Sequence, residues 1–576
     1  KYRLQFYDLN LKMYYIGISA YYHESSVFLT NNKGTNCFLK EESFSRIKGD
    51  KNFPKRSLKF LIKKFELKKE NIKFICFYEK PFKTWWEIFY FSIKNPLQNK
   101  DFLIHHLKNF NKGSIFFYTD INKLINIPKN KIIYSSHHLS HCLYGSSVVK
   151  NIPDYVYVTC DGVGEGETMS IYTIDDKYNI KKLWTNFYPH SIGLFYSTIT
   201  DYLGFEINEG EFKVMSLSSY GKPLYENKLK EIFDINSFKI NMDYFEFNKN
   251  PNKSFSKKFS DIFGEPYLNI NLKENFKKYA DIASSAQSIL ELTMKNLLEN
   301  AIKLSGKKKI VLTGGVALNC KMIHNLSKQD LFEELIVPPS PGDSGSAIGA
   351  ANFAYLNDKK TNTLDLNTIF LGPEKKIINK EIDKENLFLK INSTDNFLDE
   401  ATNKIINGEI IASYYEKTEI GPRSLGNTSI FCDAKNKDLV KNLNLNIKKR
   451  DFFQPLAPIL LDEDFEKYFS ISENIKKNLE WMGTLCSANE QLYNNYSSII
   501  HVDGTCRTQI VKDKNSLTYK ILQNLKKKGS DILVNTSFNI SKDPVVFDLF
   551  DVYVNMKRMN INFILMDDGF YKIKNI

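Results

Sequence analysis

His137-His-Leu-Ser-His141 packs three of the chain's nine histidines into five positions. In a helix, His137 and His141 stand one turn apart on one face, so both imidazoles can address a single cation. The position after His137 holds His138 instead of the glutamate of the zinc-protease pattern H-E-x-x-H, which disfavours a metalloprotease. Two histidines need oxygen ligands to complete a shell. The candidates are Asp161, closing an apolar run in Cys160-Asp-Gly-Val-Gly-Glu, and Asp343, in Pro341-Gly-Asp-Ser-Gly-Ser. Two histidines and two carboxylates suit Fe(II), Zn(II) or Mn(II). Two helix-start histidines and two turn aspartates with purely structural roles fit the same spacing.

A second group of residues suits anions. Thr313-Gly-Gly-Val-Ala-Leu-Asn319 follows a strand pattern and opens a helix pattern, so Gly314, Gly315 and Asn319 can offer donors to a phosphate. No G-x-x-x-x-G-K-[ST] occurs, which excludes a P-loop NTPase. Cations recur toward the C-terminus: Arg423 in Gly421-Pro-Arg-Ser-Leu-Gly, Lys448 and Arg450 in Ile447-Lys-Lys-Arg, and Arg507 in His501-Val-Asp-Gly-Thr-Cys-Arg. With the polar run Asn535-Thr536-Ser537-Phe-Asn539 they are the groups a polyphosphate needs, although solvated basic faces have the same composition. His23-Glu24 occupies a hairpin turn, where the imidazole can act as a general base or stay an exposed turn residue. Glu209-Gly-Glu-Phe-Lys213 reads as a substrate loop or a solvated one, and the small residues of Gly345–Ala351 as a helix start suited to close packing on a strand or to approach by a nucleotide.

The elements that must position these groups alternate strand and helix, the signature of an α/β protein. Strands are expected at 14–19, 74–78, 155–160, 310–313, 410–414 and 532–535. A long helix is expected over 276–304, with Ile282, Ala286, Ile289, Met294, Leu297, Ala301 and Leu304 on one face. Two strand–turn–strand units about 140 residues apart, beginning at Tyr15 and Val156, suggest a duplicated fold of the actin/hexokinase kind with a cleft between its halves. The polar segment 356–396 is the best linker, and 223–275 reads as an insertion. The 576 residues exceed one small domain, and 42% hydrophobic content excludes a mainly disordered chain. Lys+Arg of 79 against Asp+Glu of 66 gives +13, which alone fits nucleic acid, a membrane surface or phosphorylated substrates. Abundant Phe, Tyr, Lys, Asn and Ile point to AT-rich coding bias, which weakens the nucleic-acid reading. Scattered cysteines with no C-x-x-C pair favour reduced thiols in a cytoplasm. No apolar run reaches the roughly 18 residues of a spanning helix. Met13 precedes the first strand, so residues 1–12 read as an upstream extension.

Taken together and in order, Gly17-Ile-Ser-Ala-Tyr-Tyr-His-Glu-Ser, the histidine cluster, Asp161-Gly-Val-Gly-Glu, Pro189-His-Ser-Ile-Gly, Gly210-Glu-Phe-Lys-Val-Met, the glycine turn, Gly342-Asp-Ser-Gly-Ser and the C-terminal motifs resemble the NodU/CmcH O-carbamoyltransferases. The resemblance runs from about residue 15 to 570. It implies an actin-like (ASKHA) carbamoyl-transfer domain over 13–365, a linker over 366–395 and a YrdC-like α/β domain over 396–576. The second domain would form carbamoyl-adenylate from carbamoyl phosphate and ATP, with Mg for the nucleotide. The first would pass the carbamoyl group to a hydroxyl beside a bound iron, expected as Fe(II). On this resemblance His137, His141, Asp161 and Asp343 hold the metal and His23 is the base. Arg423, Lys448 and Arg507 are catalytic, and Lys213, Gly314, Gly315, Asn319, Arg450, Asn535, Thr536, Ser537 and Asn539 bind cofactor. The expected partner is a small-molecule or glycan acceptor, with a homodimer as the oligomer and no nucleic acid. Three departures stand out: Glu24 for aspartate, and Gln454 and Ser541 for arginines. Two lost phosphate-facing charges cost on the order of several kcal/mol unless Lys449 or Lys542 compensates. A non-catalytic nucleotide-binding descendant and a tRNA-modifying relative are therefore the alternatives.

Overall fold

Runs of consecutive apolar residues make strands covered on both faces, and the first does so: all six residues of Tyr14–Ser19 (β1) are buried. The computed structural model describes residues 12–574 except position 32 and 95–103, 105–112, 251–252, 265, 267–271, 361–363, 365, 367 and 392–396. The expected upstream extension therefore lies outside the described residues, apart from Lys12. β1 pairs antiparallel with Ser26–Asn31 (β2), which pairs with Asn36–Lys40 (β3). On its other side β1 pairs parallel with Ile72–Phe77 (β4), and β4 with Ile132–Tyr134 (β5).

The same plan then repeats. Tyr155–Gly164 (β6) pairs antiparallel with Glu167–Ile174 (β7), and β7 with Ile180–Phe187 (β8). Lys309–Thr313 (β9) lies parallel to β6, and Glu334–Ile336 (β10) parallel to β9. Both five-stranded sheets thus have the same order and orientation, so the duplication suggested by the two hairpins is present. The chain between β8 and β9 includes Leu272–Ser305 (α2), on which Ile282, Ala286, Ile289, Met294, Leu297 and Ala301 are fully buried. Leu304, in the last turn, is 48% exposed, because that turn has left the core.

Two helices bring the halves together. His137–Ser146 (α1) follows β5, and Asp343–Lys359 (α4) follows β10. Their contact is made by backbone. A Cβ on Gly17 of β1 would lie 1.8 Å from the Ala347 carbonyl oxygen, and one on Gly349 1.7 Å from that of Ser140. The small residues of α4 thus serve close packing, the likelier of the two readings. Gly17→Ala is expected to destabilise the protein by about 3 kcal/mol or more, read as a lowered denaturation midpoint. An unchanged midpoint would contradict the contact.

The C-terminal part is built on an eight-stranded sheet, with a separate small sheet of three short strands at Phe469–Ser470, Cys486–Ala488 and Thr505–Cys506. In spatial order the larger sheet contains Phe388–Lys390 (β11), Gly569–Ile573 (β18), Phe563–Met566 (β17), Ile411–Tyr414 (β12), Thr428–Asp433 (β13), Leu533–Ser537 (β16), Ala457–Leu461 (β14) and Gln509–Val511 (β15). Of the stretch expected as linker, residues 356–359 end α4, and Lys375 and residues 388–390 join this unit. β11 is an edge strand, and buried Lys375 donates to Thr418 Oγ1 at 2.8 Å and Thr428 Oγ1 at 2.9 Å. An edge strand with only one buried residue has no readable periodicity, which is why polarity suggested a linker. Among the described residues no helix is long and apolar enough to cross a membrane.

Candidate active site

α1 places His137 and His141 one turn apart, and β6 ends by delivering Asp161 to them, while Asp343 is the first residue of α4. One ligand atom from each of the four lies within 4.8 Å of the others. His141 Nε2 is 3.2 Å from Asp161 Oδ2 and 3.3 Å from Asp343 Oδ1, and His137 Nε2 is 3.3 Å from Asp343 Oδ1. The local sequence explains the fit. A Cβ on Gly164 would sit 2.2 Å from the His137 ring, so only glycine lets the imidazole lie against the strand. The Gly162 N–H donates to Asp161 Oδ1 at 2.8 Å, which holds that carboxylate with Oδ2 free. His138 turns the other way, its Nδ1 2.7 Å from Ser170 Oγ.

The electrostatics are those of a cation site. Burial would lower the two imidazoles, yet Asp343 and Asp161 push His137 well above the ordinary histidine value, and Asp161 and Asp343 raise His141. Burial would raise Asp343, but His137 and His141 hold it at about 2. Asp161 is likewise held well below the usual carboxylate range against its burial, by His137 and His141. Both His137 ring nitrogens, His141 Nδ1 and Asp161 Oδ2 are buried without a hydrogen-bond partner. Buried polar atoms are ordinarily satisfied, so this donor set fits a divalent metal.

Sequence reasoning missed two acids here. Glu79 is buried just beyond β4, and burial pushes it up to about 7. Buried Glu165 accepts from the backbone N–H groups of Lys80 at 2.6 Å and His137 at 3.2 Å, tying two segments to the start of α1. The signal for Glu79 was available: an acid closing an apolar strand, as Asp161 does.

The glycine turn after β9 serves the protein first. Gly314 has φ 92°, its N–H donates to Pro341 O at 2.8 Å, and a Cβ there would lie 2.1 Å from Cys160 O. Asn319 caps Cys320–Ser327 (α3) by accepting from Met322 N at 2.9 Å, and it exchanges two hydrogen bonds with Gln287. Gly315 remains beside the histidine–aspartate cluster, its Cβ position 3.0 Å from Asp161 Oδ1. Farther along the turn, Ala317 and Leu318 line a cavity of about 20 Å³ with Arg423. One short loop therefore touches both groups of candidate residues.

In the C-terminal sheet, β16 carries Asn535, Thr536 and Ser537. Asn535 Nδ2 donates to Ser424 O at 3.0 Å and Gln509 Oε1 at 2.8 Å, and Arg450 Nη2 donates to Thr536 Oγ1 at 3.2 Å. Lys448 is buried and donates to Ser537 O at 2.6 Å and Asn539 Oδ1 at 2.8 Å, so its ammonium organises the loop after β16. Burial, then Arg507 and Arg450, push Arg423 down to about 9, and burial with Arg507 pushes Arg450 down to about 10. A guanidinium keeps its proton at such values; the shifts register three mutually repelling cations. Among the described residues no carboxylate pairs with Arg423, Arg450 or Arg507, and buried Arg507 Nε lacks a hydrogen-bond partner.

The remaining residues lie elsewhere around these sites. Lys213 is paired with Asp451 at 2.9 Å. His23 sits in the β1–β2 turn, next to Glu24, which is ion-paired with Lys40 at 3.0 Å. The N-terminal sheets and the C-terminal sheet meet along a polar and aromatic seam. Ser219 donates to Asp503 at 2.6 Å, Lys321 lies 3.3 Å from Asp503, Trp481 Nε1 donates to Val337 O at 2.8 Å, and the Phe276 and Phe452 rings are 5.2 Å apart.

Known proteins share this arrangement of sequence. The uncharacterized protein sll1178 of Synechocystis sp. is 28% identical over 96% of this chain and 95% of its own length. Nodulation protein NolNO of Sinorhizobium fredii is 26% identical over 96% of this chain and 79% of its own. Among solved structures, HypF of T. kodakarensis is matched with a TM-score of 0.32 and 14% identity over 61% of this chain and 50% of that one. Residues 14–352 match the family described as Carbamoyltransferase N-terminus, and residues 402–572 match Carbamoyltransferase C-terminus. With both halves matched in order, the chain belongs to the carbamoyltransferase family and is an enzyme of that kind.

Proposed function

We propose that the protein is an ATP-dependent O-carbamoyltransferase with two cooperating sites. At the arginine site, water cleaves carbamoyl phosphate to carbamate and phosphate, and a carbamate oxygen then attacks the α-phosphorus of ATP, breaking its bond to pyrophosphate, which leaves with the electron pair as carbamoyl-adenylate forms. At the histidine–aspartate site, an acceptor hydroxyl attacks the carbamoyl carbon, the C–O bond to AMP breaks, and AMP leaves with the electron pair. The observation that carries this reading is the trio Arg423, Arg450 and Arg507, uncompensated by carboxylates and joined to the metal-type cluster by a single loop.

Each group has a stated task. The three guanidiniums offset the charge of the phosphates and of the departing pyrophosphate, which is where fixed cations act most strongly. Thr536 orients Arg450, and Lys448 fixes the loop that carries Ser537 and Asn539. A divalent ion held by His137, His141, Asp161 and Asp343, with Fe(II) the expected metal, supplies Lewis acidity toward the carbamoyl group. His23, at the hairpin turn, accepts the proton of the attacking hydroxyl on an imidazole nitrogen. The acceptor is a hydroxyl of a sugar, polysaccharide or small natural product.

The test is pyrophosphate release from ATP with and without carbamoyl phosphate, followed by mass spectrometry of an acceptor panel for the gain of one carbamoyl unit. Release that requires carbamoyl phosphate is expected. A folded protein that releases none would favour the non-catalytic, nucleotide-binding alternative and overturn this reading.

A further inference from the structure

Arg423 lies in a long hairpin loop, residues 415–427, that joins β12 to β13. Among the described residues no carboxylate pairs with its guanidinium, and Arg507 and Arg450 repel it. Like charges spread apart if the chain beneath them is free to move, so the loop has to be fixed before any anion arrives. It is fixed on both sides of Arg423. Before it, Gly421 has φ 93°, and a Cβ there would lie 2.3 Å from Pro339 O of the N-terminal part. After it, the Ser424 carbonyl accepts from Asn535 Nδ2 at 3.0 Å and the Leu425 carbonyl from Gln509 Nε2 at 2.8 Å.

Two side chains close the neck of the loop. Glu419 Oε1 accepts from three backbone N–H groups, those of Leu425 at 2.9 Å, Asn427 at 3.0 Å and Thr428 at 3.1 Å. One carboxylate oxygen thus ties the outgoing limb of the loop to the returning limb, with Arg423 in the turn between them. Bonds from N–H to a carboxylate are roughly twice as strong as those to a neutral acceptor, so this tie is a firm one. Lys375 adds a second: its buried Nζ joins Thr418 Oγ1, beside Glu419, to Thr428 Oγ1 and lies 4.3 Å from the centre of the Tyr414 ring. The chain around Lys375 runs along the outgoing limb as a strap. Gly372 N donates to Thr418 O at 2.9 Å, Lys375 N to Glu416 O at 3.0 Å, and Ile420 N to Ile369 O at 2.9 Å.

We propose that Glu419 is a positioning residue for Arg423: its carboxylate closes the loop that presents the guanidinium to the polyphosphate, and Lys375 braces the same neck from the strap. Neither group touches the phosphates. Their task is to keep Arg423 in place against the repulsion of its neighbours, so that no reorganisation is needed when ATP binds. The inference rests on the reading that Arg423 acts in ATP-dependent release of pyrophosphate.

A double-mutant cycle on carbamoyl-phosphate-dependent pyrophosphate release by the full-length protein tests it. Glu419→Ala is expected to lower kcat/KM for ATP by about 30-fold, within the roughly 100-fold that a misplacement of ~1 Å can cost. Glu419→Gln keeps a carbonyl oxygen at the neck and is expected to recover to within about threefold of wild type. In the Arg423→Ala background, Glu419→Ala is expected to change the rate by less than about twofold, because the group it positions is gone. Melting curves give the folded fraction of each variant at the assay temperature. A purely structural tie would lower the melting temperature and leave turnover of the folded fraction alone. Should the alanine variant not fold, Glu419→Asp, which draws the oxygen back by one methylene, takes its place in the same cycle. An equal loss in both backgrounds, or a folded Glu419 variant of the cycle with wild-type kcat/KM, overturns this inference and leaves the proposed function standing. Wild-type protein that releases no pyrophosphate overturns both.

Discussion

Alanine in place of His141 is expected to abolish carbamoyl transfer to any acceptor while leaving carbamoyl-phosphate-dependent pyrophosphate release within about twofold of wild type. The expectation follows from how the four candidate ligands are distributed. His137 and His141 come from α1, Asp161 from β6 and Asp343 from α4, and all belong to the N-terminal part. The arginines come from the C-terminal part. Losing His141 leaves two half-buried carboxylates facing a single imidazole, and on the proposed reading transfer should fall by about a thousandfold or more as the Lewis-acid charge is lost. Elemental analysis of the purified variant provides a second readout, because bound metal should fall with transfer. Loss of both reactions together in a folded, metal-free variant would show that the two sites are not separable as argued.

Arg423→Ala has the reverse pattern. Pyrophosphate release should drop by about 100- to 1000-fold in kcat/KM, roughly 3–4 kcal/mol of lost transition-state stabilisation, and transfer should fail for want of its donor. The fold should not suffer. Arg423 is pushed down by burial and by two neighbouring guanidiniums, with no carboxylate to offset them, so removing it relieves repulsion in the ligand-free protein. Its melting temperature is expected to equal or exceed that of wild type. Lys should replace it poorly, since a point charge lacks the planar fork that grips two phosphate oxygens. A variant that keeps wild-type kcat/KM would remove Arg423 from the site.

Local pattern carried far into this structure, and its failures have physical causes. β1 occupies the expected residues because Tyr14–Ile18 is an unbroken run of aromatic, β-branched and glycine residues, and the i, i+4 spacing of His137 and His141 survives unchanged in α1. What spacing could not show is competition for the same donors. Gly314 and Asn319 look like a phosphate turn, yet Pro341, Met322 and Gln287 already use their hydrogen-bonding groups. Lys448 looks like a free cation and is enclosed by oxygens of Ser537 and Asn539. Lys213 finds Asp451 only after folding. Each partner lies far away in sequence, and no periodicity reports such a pairing. The duplication was legible because it is written twice, whereas the seam between the parts is written once.

That seam has a consequence for why the two parts share one polypeptide. Besides the contacts of Asp503 with Lys321 and Ser219, of Arg46 with Pro544 and Val545, and of the Phe276 and Phe452 rings, the seam buries Leu425, Trp481 and Met482 in one cluster with Leu143 and Ile336. As separate proteins, the two parts would still have to find each other in a bimolecular encounter, at a rate set by their concentrations. Covalent linkage gives each a local concentration of its partner on the order of millimolar, whatever the cell's supply. On the proposed reading, an anhydride made in one part would then meet the acceptor site of the other as fast at one copy per cell as at thousands.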